Sequence, residues 1–145
     1  MEQTLSSTQS KIFTIESISL GTFLGGPLAA GYLVYANLKT LDEPQKALTA
    51  LWMGIIGTLI LFGTILFIPE SISSKIPNQV IPFAYTLAIY YWCKQYMDLK
   101  IKKHLENGGI KASGWKAAGI GLVCLLISFV YILILTFFMP MPDQL

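Results

Sequence analysis

The residues that could do chemistry in this chain are few and widely separated. The only histidine, His104, lies in a lysine-rich segment with no cysteine or second histidine nearby, so metal-ligand spacing is absent. The two cysteines, Cys93 and Cys124, form no CxxC pair, and both fall in apolar runs, which favours buried, unreactive thiols. The sequence contains no GxSxG, HExxH or glycine-rich phosphate loop. We therefore predict that the protein is not an enzyme and has no catalytic residue, cofactor or metal site.

One carboxylate, Glu16, lies at the start of an apolar segment. A carboxylate is favourable in the first turn of a helix, so an interfacial position is the preferred interpretation and a proton carrier is the alternative. A membrane enzyme is a third hypothesis for the chain, with Ser19 and Cys124 as the groups that an active-site probe would label.

The composition indicates a membrane protein. Of the 145 residues, 54% are hydrophobic and 12% are charged, about half the ~25% charge of a typical soluble domain. The net charge is only +2, and the ten basic residues are all lysines. Without arginine the chain lacks the bidentate fork that recognises phosphate or guanine, so we exclude nucleic acid as a partner.

The apolar runs predict an all-α polytopic membrane protein with a single membrane domain over residues 1–145. Each run is about 20 residues, enough to cross roughly 30 Å of hydrocarbon. The third has the shortest uninterrupted apolar core and is expected to continue as a helix into the cytoplasm, followed by a stop at Gly108-Gly109. The four predicted helices cover residues 15–38, 47–68, 77–107 (membrane part 77–96) and 115–139.

Local signals mark the ends of these helices. Asp42 and Gln45 are placed to form a capping box for the second helix, with Pro44 in its first turn. Asp98 and Lys102 form an i,i+4 pair in the extension of the third helix. Ser113 is a candidate N-cap for the fourth helix, and Pro140 and Pro142 end it in a short acidic tail.

The lysines predict the orientation. With four crossings, the first and third connections hold eight lysines, whereas Lys11 and Lys75 lie on the other side. By the positive-inside rule the eight face the cytoplasm, so both termini are predicted outside it.

The segment 21–32 dominates the first predicted helix. Gly25-Gly26-Pro27 lies in its middle, where proline removes an amide and crowds the carbonyl four residues earlier. We predict a kinked helix that crosses the membrane and packs closely on small-residue stripes of the second and fourth helices. The predicted hinge and packing residues are Gly21, Gly25, Gly26, Pro27 and Ala29.

A cluster of lysines follows the third predicted helix. These residues could contact anionic lipid headgroups, dock a cytoplasmic partner, or do no more than set the topology. The candidate lipid or partner contacts are Lys100, Lys102, Lys103, Lys111 and Lys116.

The first helix and the loop after it resemble a group of small bacterial multi-pass membrane proteins. In that group a Gly-(Gly/Ser)-Pro-Leu-Ala motif is followed by an asparagine and a short basic turn, as in Gly25–Ala29 and Asn37-Leu38-Lys39 here. The match covers about one sixth of the chain. It implies a similar helical architecture in the bacterial cytoplasmic (inner) membrane, and no activity.

Two functions remain after these exclusions. The first is a non-enzymatic membrane protein that packs with copies of itself or with other subunits of a membrane assembly. The second is a small-solute transporter or channel that uses the kinked helix at Gly25-Gly26-Pro27, because broken helices often line binding sites in transporters. The absence of a charge deep in the apolar runs favours the first.

Overall fold

The computed structural model describes residues 10–138, which form a helical unit with one pair of short strands. Met139 and the tail with Pro140 and Pro142 lie outside the described residues. The elements are β1 (Lys11–Ile12), α1 (Ile15–Thr40), α2 (Pro44–Phe67), α3 (Glu70–Ser73), α4 (Val80–Tyr96), α5 (Asp98–Glu106), β2 (Ile110–Lys111) and α6 (Gly114–Phe138).

The main departure from the sequence prediction is that α1 reverses direction. The side chain of Asn37 bonds to the backbone oxygen of Phe13 at 2.8 Å, although the two residues are 24 positions apart. In a straight helix they would be separated by ~36 Å. The break is at Gly26, whose φ of 71° and ψ of −162° are not helical. Residues 15–25 and 27–40 therefore form an antiparallel hairpin, here called the α1 hairpin, and the single kinked helix predicted over residues 15–38 is wrong.

The other long helices surround this hairpin. In the most apolar window of α1, 61% of the residues are buried, against 11% in α2 and 17% in α6. Helices α2, α4 and α6 each pack mainly on α1 and hardly on one another. Of these three helices, α4 has the least contact with α1.

The contacts also define two ends of the molecule. One end, here called the lysine-rich end, brings together residues 10–14, 37–47 and 94–117. There Lys11 of β1 lies opposite Ile110 of β2, and Lys100 forms an ion pair with Glu43. From there α2 and α6 lead to the opposite end, and α4 returns from it. The α1 hairpin starts and finishes at the lysine-rich end, so residues 10–14 do not lie on the far side as predicted.

The remaining helix boundaries differ from the predictions in detail. Helix α2 begins at Pro44, but Glu43 is its N-cap residue and makes no capping bond, so the predicted Asp42–Gln45 box does not form. The helix predicted over residues 77–107 is divided at Met97 into α4 and α5. Trp115 donates its backbone N–H to the Ser113 hydroxyl at 3.3 Å, as expected at the start of α6.

Three helices of the described chain are long and apolar enough to cross a membrane: α1, α2 and α6. The predicted count of four crossing helices is not confirmed. Helix α1 meets the criterion by length and composition, but each half of its hairpin is only about half as long as the complete helix.

Candidate functional site

The turn of the α1 hairpin is the most unusual backbone in the described chain. Gly26 occupies a region of φ and ψ that is open almost only to glycine. Pro27 follows as the first residue of the second half. A backbone N–H at that position has no partner within the helix, so proline loses no hydrogen bond there. The hydroxyl of Tyr85 on α4 lies 3.9 Å from the position that a Cβ on Gly26 would take. The predicted hinge residues thus form a complete reversal.

The first half of the hairpin packs on α6 through glycines. A Cβ built on Gly21 would lie 2.9 Å from the backbone oxygen of Ala117. One turn further, a Cβ on Gly25 would lie 2.8 Å from the Cα of Gly121. Because real side chains essentially never approach so closely, both positions require glycine, and the two helices run parallel.

The second half packs on α2 in the same manner but antiparallel. A Cβ on Gly31 would lie 2.7 Å from the Cα of Gly54, and one on Gly54 would lie 2.9 Å from the oxygen of Pro27. The predicted small-residue stripe of α2 is thus used, although Gly31, its closest partner, was not among the predicted packing residues. Ala29 is buried, but it faces Gly25 across the turn and does not continue a stripe from Gly21.

Asn37 holds the base of the hairpin closed. This side chain is fully buried, and it accepts a hydrogen bond from the Phe13 N–H at 2.8 Å while donating to the Phe13 oxygen at the same distance. One amide side chain thereby satisfies both backbone groups of a buried residue. The sequence signal was an asparagine near the end of an apolar run, which favoured an interfacial polar cap and gave no indication of the bonds to Phe13.

The predicted lysine contacts fall into two classes. Lys100 is paired with Glu43, and Lys102 is paired with Asp98 at 2.7 Å, as expected for the i,i+4 pair. Within residues 10–138, Lys103, Lys111 and Lys116 make no ion pair. Two of the five candidates are thus engaged within the chain, and the other three have no acidic partner in the part of the chain that the structure describes.

Glu43 joins α2 to α5 at the lysine-rich end. It precedes α2, pairs with Lys100 of α5 and also contacts Lys46 one turn along α2. The hydrogen bond from Lys100, then that from Lys46, holds the pKa of the Glu43 carboxyl below its usual range. Glu43 and Lys100 line an open cleft of about 380 Å³ together with Lys103 and His104.

The groups considered first for chemistry do not come together. His104 Nε2 lies 2.9 Å from the carbonyl oxygen of Ser10, which can only accept a hydrogen bond, so the ring nitrogen donates. Cys93 and Cys124 are separate, buried, free thiols. Within the described residues no three histidine, cysteine, aspartate or glutamate side chains are grouped as metal ligands.

Comparison of the chain with protein-family models, curated proteins and solved structures finds no match. The interpretation of the fold and its surfaces therefore depends on the geometry.

Proposed function

We propose that the chain is an integral membrane protein in which α2, α4 and α6 cross the bilayer and the α1 hairpin is re-entrant. The apolar exterior of the three helices supports this arrangement, and the 17 residues of α4 are near the minimum of about 17 for a crossing helix. A backbone break at membrane depth is tolerated where protein surrounds it. At Gly26 the surrounding protein is α2, α4 and α6.

The lysine-rich end faces the cytoplasm in this proposal. Placing residues 10–14 at that end leaves Lys75 as the one lysine at the opposite end. The other nine lysines are Lys11, Lys39, Lys46, Lys94, Lys100, Lys102, Lys103, Lys111 and Lys116. This asymmetry is stronger than the eight-to-two division predicted from four crossings, and it follows the positive-inside rule. The resemblance described above favours a bacterial inner membrane.

Labelling of single cysteines tests this orientation in a variant with Cys93 and Cys124 replaced by alanine. Lys11→Cys and Ser74→Cys place thiols at exposed positions of the two ends. We expect an impermeant maleimide to label Ser74→Cys in intact cells and Lys11→Cys only after permeabilisation. Labelling of both variants in intact cells would contradict a re-entrant hairpin and restore a crossing first helix, whereas labelling of Lys11→Cys alone would reverse the orientation.

For the function itself, we propose a non-enzymatic subunit of a membrane assembly, formed with copies of the chain or with other proteins. The observation that carries this proposal is the lack of mutual packing among α2, α4 and α6 beyond the hairpin turn. Association in lipid depends on close packing between helices, and a neighbouring helix would supply that packing beyond the turn.

Cross-linking along α2 tests this proposal. Leu48 and Leu66 are similarly exposed, at 52% and 43%, but lie at the lysine-rich and opposite ends of the helix. In the cysteine-free background we expect Leu66→Cys to form disulfide-linked species in native membranes much more than Leu48→Cys. Equal cross-linking of both variants, together with a monomer by mass photometry in mild detergent, would count against an assembly.

A transporter or channel remains the second candidate, favoured by the glycine-only break in the middle of the fold. Against it, an apolar cluster that includes Ile12, Met97 and Ile101 fills the lysine-rich end. At the turn, the C-terminal end of the first half-helix lies beside the N-terminal end of the second. The partial negative charge of one end therefore offsets the partial positive charge of the other. Transport would therefore require the hairpin to move. Proton or potassium flux into proteoliposomes that is unchanged in Pro27→Ala would exclude the turn from such a mechanism.

A further inference from the structure

A groove runs along α6 next to the second half of the α1 hairpin. It encloses about 580 Å³, is open along one side, and is almost entirely apolar. The residues that shape it are Phe13, Tyr32, Lys116, Gly119, Val123 and Ile127. The close glycine contacts of the hairpin do not use this groove.

The floor of the groove depends on Gly119. A Cβ built on this residue would meet nothing within 4 Å, so glycine here is not required by close packing, unlike Gly21 or Gly25. Its missing side chain leaves space between the flanking residues of α6. A larger residue at Gly119 would fill the groove without displacing a neighbouring helix.

The length of the groove corresponds to one leaflet of a bilayer. From Lys116 to Ile127, α6 rises ~16 Å, and half of the hydrocarbon core is ~15 Å. Trp115 is 88% exposed at the same end as Lys116, a position typical of an indole at the membrane interface. The groove thus begins where lipid headgroups would lie and ends near the middle of the bilayer.

The mouth of the groove is basic. Lys116 lines it and makes no ion pair in the described chain, and Lys11 and Lys111 lie on the adjoining strands. Glu16 is the carboxylate on the neighbouring turn of α1, and no ion pair joins it to Lys116 in the same residues. An ammonium group is therefore available to an anion at the headgroup level.

We propose that this groove holds one acyl chain of an anionic phospholipid whose phosphate binds Lys116. The apolar walls accept the chain, and the lysine selects the headgroup by charge. The inference goes beyond the proposed assembly and rests only on the insertion of α6 in a membrane.

Native mass spectrometry of the delipidated protein in mild detergent tests the proposal, with dioleoylphosphatidylglycerol and dioleoylphosphatidylcholine as the two probes. We expect one phosphatidylglycerol to bind in preference to phosphatidylcholine. Lys116→Gln should weaken phosphatidylglycerol binding about fivefold, the factor for one lysine near an anionic surface. Gly119→Leu should abolish binding of the lipid.

Two matched variants control for general effects. Gly63→Leu adds the same side chain to α2, again at a glycine with nothing within 4 Å. Lys102→Gln removes a lysine that is paired with Asp98. Both should bind phosphatidylglycerol as the wild type does. Equal binding of the two lipids by the wild type, or unchanged binding by Gly119→Leu, would overturn the site. A chain that fails to insert would instead overturn the membrane proposal.

Discussion

Helices α2, α4 and α6 pass through two regions of this molecule that differ in packing. At the lysine-rich end the α1 hairpin lies between them and buries their facing residues. Beyond the turn at Gly26 the same helices lack a common partner, and most of their side chains are exposed. The helices carry large apolar side chains in both regions, so the presence of such side chains does not explain the difference. What differs is whether another part of the chain lies within contact distance.

Two glycines of α2 illustrate this point. Gly54 faces the hairpin so closely that a Cβ would lie 2.7 Å from Gly31, whereas a Cβ on Gly63 would meet nothing within 4 Å. Both are glycines in the same apolar helix. The packing role of a small residue therefore depends on what faces it.

The largest effect on stability should come from substituting Gly54, with the same substitution at Gly63 as the comparison. We expect Gly54→Leu to destabilise the fold by about 3 kcal/mol or more, because the neighbouring backbone of Gly31 cannot yield to an inserted side chain. Gly63→Leu should leave stability nearly unchanged. Thermal unfolding in detergent, followed by size-exclusion chromatography, measures both. Similar losses for the two variants would show that the opposite end is packed as well.

A second contrast compares buried polar groups. Asn37→Leu removes both hydrogen bonds to Phe13 and leaves a buried N–H and carbonyl unpaired, which should cost about 3 kcal/mol. Ser128 is also buried, at 4% exposed, but its hydroxyl has no partner in the described chain, so Ser128→Ala should be neutral or stabilising. Denaturant titration gives both values. A large loss in Ser128→Ala would reveal a bonded hydroxyl.

The turn that separates the two regions provides a third test. Gly26→Ala introduces a Cβ at a φ of 71° and should cost about 2 kcal/mol through backbone strain, since no atom lies closer than 3.9 Å to that Cβ. Gly57→Ala is the control, because its Cβ would make an ordinary 3.6 Å contact with Pro27. If both substitutions change the midpoint of thermal unfolding equally, strain at Gly26 is not the cause.

The smallest effect concerns the charged surfaces of the two ends. The ion pairs lower the pKa of Glu43 in the folded chain, so their stabilisation is present above the unfolded value, about 4.3, and is lost as the pH falls through the folded value. Glu43→Gln should therefore unfold at a slightly lower temperature than the wild type at pH 7 and at the same temperature at low pH. Glu70→Gln at the opposite end, where the described chain shows no ion pair, should match the wild type throughout. A constant difference between Glu43→Gln and the wild type down to low pH would exclude the ion pairs as its source.

Much of the helical structure was predictable because it depends on local pattern. Long apolar runs bounded by Pro44, Pro69 and Ser113 gave the positions of α2 and α6 to within a few residues. The Asp98–Lys102 pair and the glycine stripes also follow from helical spacing alone. The division at Met97 and the short helix α3 carried no comparable signal.

The candidate site was predictable in its residues but not in its geometry. Gly25, Gly26 and Pro27 indicate a break in a helix, yet a kink and a full reversal use the same residue types. A second signal was available in the lysines, since moving Lys11 to the lysine-rich end strengthens the charge asymmetry. Likewise the sequence could not separate Lys100 from Lys103, Lys111 and Lys116, because its partner Glu43 lies 57 positions away.

By itself, then, the amino-acid sequence determined the helical class, the apolar exterior, the lysine asymmetry and the position of the backbone break. Each of these is a property of residue type and local spacing. Only the tertiary structure decided that the chain turns back at Gly26, because the reversal is stabilised by contacts between distant residues. Phe13 and Asn37 close its base, Gly31 and Gly54 join one half to α2, and Gly25 and Gly121 join the other to α6.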